Sequence, residues 1–309
     1  MISVVIPVFN KQDTIERCIR SVSAQTFVDM EIIAIDDGST DGSADTLRTI
    51  SDPRLKIHSV PNGGVSRARN LGLQLATAEI VCFLDADDYW SDNFAARIDY
   101  LSKQYADAAL LCGRYQIENE DGSKRLGSYS LPSDHFGYVQ NFFRTYRKSK
   151  SLVCSSSVGV RRQALIDIGG FPADATVGED VYVWLELAKR HAVAADSEVC
   201  STVSYDDARN DRRAIGTIPY FIGANLKYAQ KKDADRDLIG FIAYYSKIYA
   251  ALAVISGTRK TALNYFNAWK GVRTSTAIAC LCIYAMPSFV WTFARQAGRS
   301  LARHRSIHR

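Results

Sequence analysis

Apolar and polar positions in the first hundred residues alternate between two periods. Ile2 to Val8 is a near-continuous apolar run that ends at a turn, whereas Asp13 to Val22 places Ile15, Cys18, Ile19 and Val22 at helical spacing. Glu31 to Ile35, Leu55 to Val60 and Ile80 to Leu84 read as three further strands, each separated from the last by a helix-sized segment. Strand, helix, strand at this spacing predicts an α/β fold with a mostly parallel central sheet flanked by helices. Ligands of such sheets sit beyond the carboxyl ends of the strands. From about Ala106 to Asp211 the pattern changes to β-runs, Ala109 to Tyr115 and Ser155 to Val160, with a polar turn from Glu118 to Lys124. A GGFP stretch and a helix from about Glu179 to Arg190 follow. Beyond Arg212 the pattern is helical and Tyr-rich, with Ile239, Ile242, Tyr245, Tyr249 and Leu252 at helical spacing.

Composition adds little until it is divided. A chain of 309 residues that is 47% hydrophobic and 23% charged folds around a sizeable core, which excludes disorder as the main state. The net charge of +5 is a difference between unlike halves: residues 1–211 hold 22 Lys and Arg against 30 Asp and Glu, and residues 212–309 hold 16 against 3. From Leu238 onward there is no acidic residue. An acidic body with a basic tail is not the uniform basic coat of a nucleic-acid binder. The 7 cysteines are scattered without a CxxC pair and signal neither a disulfide framework nor a zinc site. The opening MISVVIPVFN lacks the charged and apolar regions of a secretory signal, so a reducing cytoplasmic location is expected.

The strand ends carry the candidate chemistry. The first strand runs into Pro7, Phe9 and Asn10, the second into IDDGSTDGS with Asp36 and Asp37, the third into PNGGVSRARN with Arg69, and the fourth into LDADD with Asp85 and Asp87. Like charges crowded at one sheet edge repel unless a cation or hydrogen-bond donors offset them. Residues i and i+2 of an extended chain point the same way, so Asp85 and Asp87 can face one cation, and their hard oxygens suit Mg²⁺ or Mn²⁺. Taken alone, this short and common motif is more simply a solvated turn capping the helix that starts near Asp92, but its place after the fourth strand, beside three other polar strand ends, favours the cation. Asp41 or Ser43 is expected to cap the helix after the second strand. Arg69, in a helix opened by Gly63 and Gly64, could reach a base or a phosphate, or be a plain surface residue. Glu179 and Asp180 after Gly178 could equally be acids that the helix dipole favours in a first turn.

Together SVVIPVFN, IDDGSTDGS, GGVSRARNLGL, FLDADD and, about ninety residues later, GED resemble the inverting nucleotide-sugar glycosyltransferases of family 2, which have the GT-A fold. The resemblance covers roughly residues 1–211. It implies a catalytic domain there, with a nucleotide-binding half at 1–105 and an acceptor half at 106–211, and leaves 212–309 as a basic helical extension. It further implies that Pro7 and Phe9 flank the nucleotide base, that Asp36 and Asp37 belong to the base site, and that Arg69 contacts the nucleotide. By the same resemblance Asp87, with Asp85 as its partner, holds the divalent metal on the donor's diphosphate. Asp180 takes the place of the catalytic base and Glu179 faces the acceptor. The donor is then a UDP, dTDP or GDP sugar. The QxxRW motif of processive synthases is absent, which favours one sugar per encounter, and no histidine near Tyr205 to Arg213 offers a third metal ligand.

Thr274 to Ala294 is a charge-free stretch long enough to span a membrane, but Pro287 and several Ser and Thr interrupt it. Counted from Pro287, Phe289, Phe293, Ala297 and Leu301 recur every four residues opposite Arg295, Arg299 and Arg303. That arrangement suits a helix lying in an anionic membrane surface, or one packed on the protein's own acidic body. A peripheral position at the cytoplasmic face, with a glycan or lipid-linked glycan as acceptor in cell-surface polysaccharide or glycolipid assembly, is the expectation. A catalytically silent nucleotide-sugar-binding adaptor and a sugar nucleotidyltransferase are the alternatives. The latter needs a Gly-rich, basic phosphate loop after the first strand, where this chain has PVFNKQDT. A dinucleotide oxidoreductase is disfavoured because there is no GxGxxG.

Overall fold

The computed structural model describes residues 1–149, 151–204, 217–231 and 233–286. The chain divides into two compact units, Met1–Asp206 and Asp207–Arg309. In the first, β1 (Ile2–Val8), α1 (Ile15–Ser23), β2 (Met30–Asp36), α2 (Ser43–Thr49), β3 (Leu55–Ser59), α3 (Val65–Leu75) and β4 (Ile80–Phe83) follow the predicted alternation. Their strands lie in the order β3-β2-β1-β4, all parallel. The chain runs outward from β1 to β3 and then returns to the other side of β1, so the β1/β4 boundary is the topological switch point where a ligand crevice opens.

The residues at that boundary explain how it opens. β1 pairs with β4 only from Ile2 to Val5, and the Val5 carbonyl accepts from Leu84 N at 3.1 Å. Pro7, two residues on, faces the same side beyond the last shared pair, so its missing N–H removes no bond from that ladder. Ile2, Val4, Ile6 and Val8 enter one core with Ile15, Cys18, Ile19 and Val22 of α1 and Leu47 of α2. Helix α3 covers the opposite face. A Cβ placed on Gly72 would stand 2.2 Å from Val5 Cγ1, so glycine is what allows α3 to lie this close to β1. One turn earlier on the same helix face, Arg69 is thereby held at the level of the sheet and buried.

Beyond β4 come β5 (Tyr89–Trp90), α4 (Phe94–Gln104), β6 (Ala108–Glu118), β7 (Lys124–Leu126), β8 (Phe136–Tyr138), α5 (Phe142–Lys148), β9 (Val158–Arg161), α6 (Arg162–Asp167), α7 (Glu179–Ala188) and β10 (Ala192–Ser204). The sheet continues as β4-β9-β6-β10-β5, with β9 antiparallel to both neighbours and β10 parallel to β6. The expected strand from Ser155 begins instead at Val158, because Ser155–Ser157 forms a 3-10 turn. That turn directs Ser156 inward: its carbonyl accepts from Trp90 Nε1 and from Ser201 Oγ, each at 2.7 Å.

At the sheet end remote from the crevice, Glu31 is buried and accepts from Ser3 Oγ at 2.6 Å, Thr77 N at 2.8 Å and Lys56 Nζ at 2.8 Å. Burial alone would raise its pKa, but these donors outweigh it and bring the carboxyl down to about 2. This acid joins β1, β2, β3 and the end of α3, and is structural.

The second unit contains α8 (Tyr220–Ala229), α9 (Arg236–Ile255), α10 (Arg259–Trp269) and α11 (Thr274–Ala285). Asp235 caps α9 by accepting from Asp237 N at 2.7 Å and Leu238 N at 3.0 Å. Tyr265 and Trp269 are fully buried, and Trp269 Nε1 donates to Ser246 Oγ at 3.0 Å. Among the described residues α9 is the one helix long and apolar enough to cross a membrane by length and composition, and 44% of that window is buried inside the fold. Helix α11 takes up the first part of the charge-free stretch and leaves Ile278, Leu281 and the following Met286 exposed. The amphipathic helix expected from Pro287, and the Tyr205 to Arg213 segment, lie outside the described residues.

Candidate active site

One side of the crevice is built by the loops after β1 and β2. Phe9 directly follows β1 and stays 45% exposed, an unusual position for a large aromatic beside a buried strand. Asn10 adopts φ 52°, in the left-handed region Asn tolerates, and its Oδ1 accepts from Thr40 N at 2.8 Å. Asp36 is buried and accepts from Ser39 N at 3.0 Å. Asp37 is buried with both oxygens engaged, accepting from Gly63 N and Gly64 N at 2.8 Å each. It therefore ties β2 to the start of α3, while each oxygen keeps a second lone pair for a further donor. Gly38 at φ 71° allows this approach, since a Cβ there would lie 2.7 Å from Asn62 N. Helix α2 starts at Ser43 with Gly42 in the cap position and no side-chain cap, so neither Asp41 nor Ser43 takes the expected capping place, and Asp41 instead accepts from Ser43 N at 2.9 Å.

Arg69 stands at the centre. Its guanidinium donates from Nη2 to Asp85 Oδ1 at 2.7 Å and from Nη1 to Glu179 Oε1 at 3.1 Å. It also lies over the Phe171 ring, 5.2 Å from the centroid. Phe171 is fixed in turn by Asn70, which donates to its carbonyl at 2.7 Å and accepts from its N–H at 2.8 Å. Adjacent residues of α3 thus bind both the acid after β4 and the loop that leads into α7. The plain surface reading of Arg69 does not hold, because Gly72 draws this face of α3 onto the sheet.

The acids after β4 divide by role. The Asp85 side chain is 36% exposed and that of Asp87 32%, with Arg69 on the former and Lys11 Nζ forming an ion pair with Oδ2 of the latter. Asp88 turns inward, accepting from Ser156 Oγ at 2.5 Å and Ser204 N at 2.8 Å. Burial, then the charges of Asp85 and Asp87, push its carboxyl well above the usual range. Arg17 steadies this loop by donating to the Asp87 carbonyl and to Ser204 Oγ, both at 2.8 Å, while lying 4.5 Å from the Tyr89 ring centroid. Among the described residues no group of three or more His, Cys, Asp or Glu could hold a metal. Two carboxylates with free oxygens still fit a hard divalent cation that arrives with phosphate and water, the usual arrangement for Mg²⁺.

Gly178, at φ 78°, turns the chain into α7, and Glu179 and Asp180 occupy its first turn. Asp180 Oδ1 accepts from Val181 N at 2.7 Å. Burial, reinforced by the charge of Glu179, raises Asp180 to about 6, against the lowering influence of Arg69. Arg69 thus brings Asp85, Glu179 and Asp180 into one electrostatic group, whereas Asp36 and Asp37 form a second cluster on the β2 loop. Sequence reasoning missed Lys11, Arg17, Asp88, Asn70 and Phe171. The third acid of LDADD and the Asn following Arg69 were the available signals.

The profile of "Glycosyl transferase family 2" matches residues 3–169. The glycosyltransferase GlyA of Streptococcus pneumoniae is 29% identical over 199 residues, which are 60% of this chain and 28% of that protein. Chondroitin synthase of Pasteurella multocida is 31% identical over 137 residues, 43% of this chain and 14% of that protein. The chain thus spans less than a third of either relative. Among solved structures, residues 1–349 of S. aureus TarS in complex with UDP-GlcNAc superpose with a TM-score of 0.68 at 15% identity, over 96% of this chain and 92% of that one. The mannosyltransferase PcManGT from Pyrobaculum calidifontis, in complex with GDP-Man and Mn²⁺, gives 0.57 at 20% identity, over 97% and 80%. The fold is GT-A, and because the matched profile spans more than half of the sequence and takes in the strand ends that carry Phe9, Asp37 and Asp85 together with helix α3 and its Arg69, the chain belongs to glycosyl transferase family 2.

Proposed function

We propose that this chain transfers one sugar from a nucleoside-diphosphate donor to a hydroxyl acceptor, with inversion at the anomeric carbon. The observation that carries the reading is Arg69, which bridges Asp85 on the donor side to Glu179 on the acceptor side and so fixes the two halves of the crevice at one separation. Phe9 offers its exposed ring to the base, Asp36 and Asp37 line that site, and Asp85 and Asp87 present oxygens toward the diphosphate. A divalent cation bound there, Mg²⁺ or Mn²⁺, would offset the negative charge that builds on the leaving diphosphate. UDP-GlcNAc and GDP-Man in the structural neighbours support a nucleotide-sugar donor.

Asp180 serves as the base. A carboxylate does not ionise an alcohol beforehand, but it accepts the proton as the hydroxyl oxygen attacks an oxocarbenium-like carbon, where that oxygen becomes acidic. Attack from the side opposite the leaving group inverts the centre. The test is release of free nucleoside diphosphate from UDP-, GDP- and dTDP-sugars with Mn²⁺, alongside calorimetry of Asp87→Ala. Wild type should release one diphosphate, and Asp87→Ala should lose ~10-fold or more in metal-dependent donor affinity, as expected for removal of a ligand carboxylate. Equal donor affinity with and without metal in both proteins would remove the metal from the mechanism.

The acid-free sequence from Leu238, the exposed Ile278, Leu281 and Met286 and the arginines beyond Pro287 support peripheral attachment to an anionic cytoplasmic leaflet, with a lipid-linked glycan as acceptor in cell-surface polysaccharide or glycolipid assembly. Each Arg near such a surface contributes about 1 kcal/mol. Deleting residues 287–309 should abolish co-sedimentation with phosphatidylglycerol vesicles while leaving donor hydrolysis intact. Unchanged sedimentation would exclude the tail as the anchor.

A further inference from the structure

Lys11 is unexplained by the roles assigned above. It comes from PVFNKQDT after β1, and its backbone is fixed. Its N–H donates to Ser43 Oγ at 2.7 Å, and its carbonyl accepts from Thr14 N at 3.0 Å and Ile15 N at 2.9 Å at the start of α1. The ammonium group ends this anchored stem on Asp87 Oδ2, its one ion-pair partner among the described residues. Arg69, the counter-cation of the neighbouring Asp85, is differently placed, being locked between two acids and an aromatic ring with a side chain 4% exposed. The Lys11 side chain is 19% exposed and pairs with an Asp87 side chain that is itself 32% exposed. Hydrogen bonds hold the Lys11 backbone at both its N–H and its carbonyl, but among the described residues only one anion holds its charge.

We propose that Lys11 is a resident counter-cation of Asp87, displaced when the donor's divalent cation takes that carboxylate, and that the released ammonium then pairs with the donor's diphosphate. The exchange breaks one ion pair and forms another without proton transfer. It keeps the positive charge near the phosphates while sparing Asp87 from standing uncompensated beside Asp85 and Asp88 in the resting enzyme. A direct consequence is coupling. Metal alone must compete with an intramolecular ammonium and binds weakly, whereas metal together with diphosphate gives Lys11 a new anion and binds tightly. The inference rests on the reading that Asp87 holds the donor's cation.

The experiment measures Mn²⁺ bound to the full chain by the electron paramagnetic resonance of free Mn²⁺, with and without UDP, and in a second arm GDP. Wild type, Lys11→Met, Lys11→Arg and Asp87→Asn are compared. UDP or GDP should raise the Mn²⁺ affinity of wild type ~10-fold or more, as expected of two linked ligands. Lys11→Met should raise the affinity for Mn²⁺ alone and lower the affinity for Mn²⁺-saturated nucleotide, each by roughly 10-fold, so that the coupling largely disappears. Lys11→Arg should stay near wild type, which separates lost charge from lost fold. If nucleotide-dependent Mn²⁺ binding occurs and is lost in Asp87→Asn, but Lys11→Met matches wild type in both affinities, the exchange is overturned and the metal reading stands. If neither nucleotide promotes Mn²⁺ binding in wild type, both fall together.

Discussion

Asp180→Asn should abolish sugar transfer, lowering kcat by roughly 10²- to 10⁴-fold, the range that one positioned general base supplies. Nucleotide-sugar affinity should stay within about twofold, since no donor contact is assigned to this side chain. Asparagine keeps the shape and the Oδ1 that accepts from Val181 N, but it cannot take a proton. Wild type carries a second signature. Burial and Glu179 lift Asp180 from 3.8 to about 6, so kcat/KM should fall as pH drops through about 6, with a slope of one proton. The stability sign is opposite to that of a salt-bridged acid. Here the folded state binds the extra proton between 3.8 and about 6, so the ionised carboxylate destabilises the fold above that window, and the penalty disappears as pH falls through it. One pKa unit corresponds to about 1.4 kcal/mol, and partial solvent access reduces it, so Asp180→Asn should be ~1–2 kcal/mol more stable than wild type at pH 7.5. The gain should vanish at pH 4. An inactive, more stable variant with normal donor affinity is the expected combination, while an active one would take Asp180 out of the chemistry.

The parallel half of the fold was legible because local signals agree there. The run Ile2 to Val8 is buried on both faces, and the helical spacing of Ile15, Cys18, Ile19 and Val22 is the face α1 presents to β1. The other half was not, because its order depends on non-local pairing. β9 is four residues long and enters antiparallel between β4 and β6, a placement no periodicity specifies. β10 is not legible in the sequence because AVAADSEVCSTVS has small and polar residues in place of β-branched alternation, and its register against β6 shifts at Asp196. At the site, motif order named the acids but not their counter-charges. That Asp37 spends both oxygens on Gly63 and Gly64, that Asp88 turns inward, and that Arg17 and Lys11 close on the DxD loop all follow from side chains more than 25 positions apart meeting in space. Sequence shows which residue types are present, while the pairing of charges depends on which strand ends adjoin.

Arg69→Met should have the largest effect on the folded state and move the pH profile at the same time. Methionine fills much of the same volume against Phe171 but leaves Asp85 and Glu179 without their shared cation. Breaking a buried charge pair costs about 3–5 kcal/mol, and the partial exposure of Asp85 lowers this, so a loss of ~2–4 kcal/mol is expected in urea unfolding at pH 7.5. The kinetic consequence goes through Asp180. Arg69 is among the influences holding its pKa down to about 6, so without the guanidinium that carboxyl rises further and the acid limb of kcat/KM shifts to higher pH. At pH 7 transfer should fall at least ~10-fold, with partial recovery as the pH is raised. A merely structural role predicts the lost stability but leaves the acid limb in place, so the limb decides whether Arg69 positions the base. Arg69→Lys is the control. It restores one charge without a fork that can hold two carboxylates, and should return the limb toward about 6 while recovering only part of the stability. If both variants keep the wild-type profile, Asp180 does not sense Arg69, and the link between the donor acid after β4 and the base on α7 is absent.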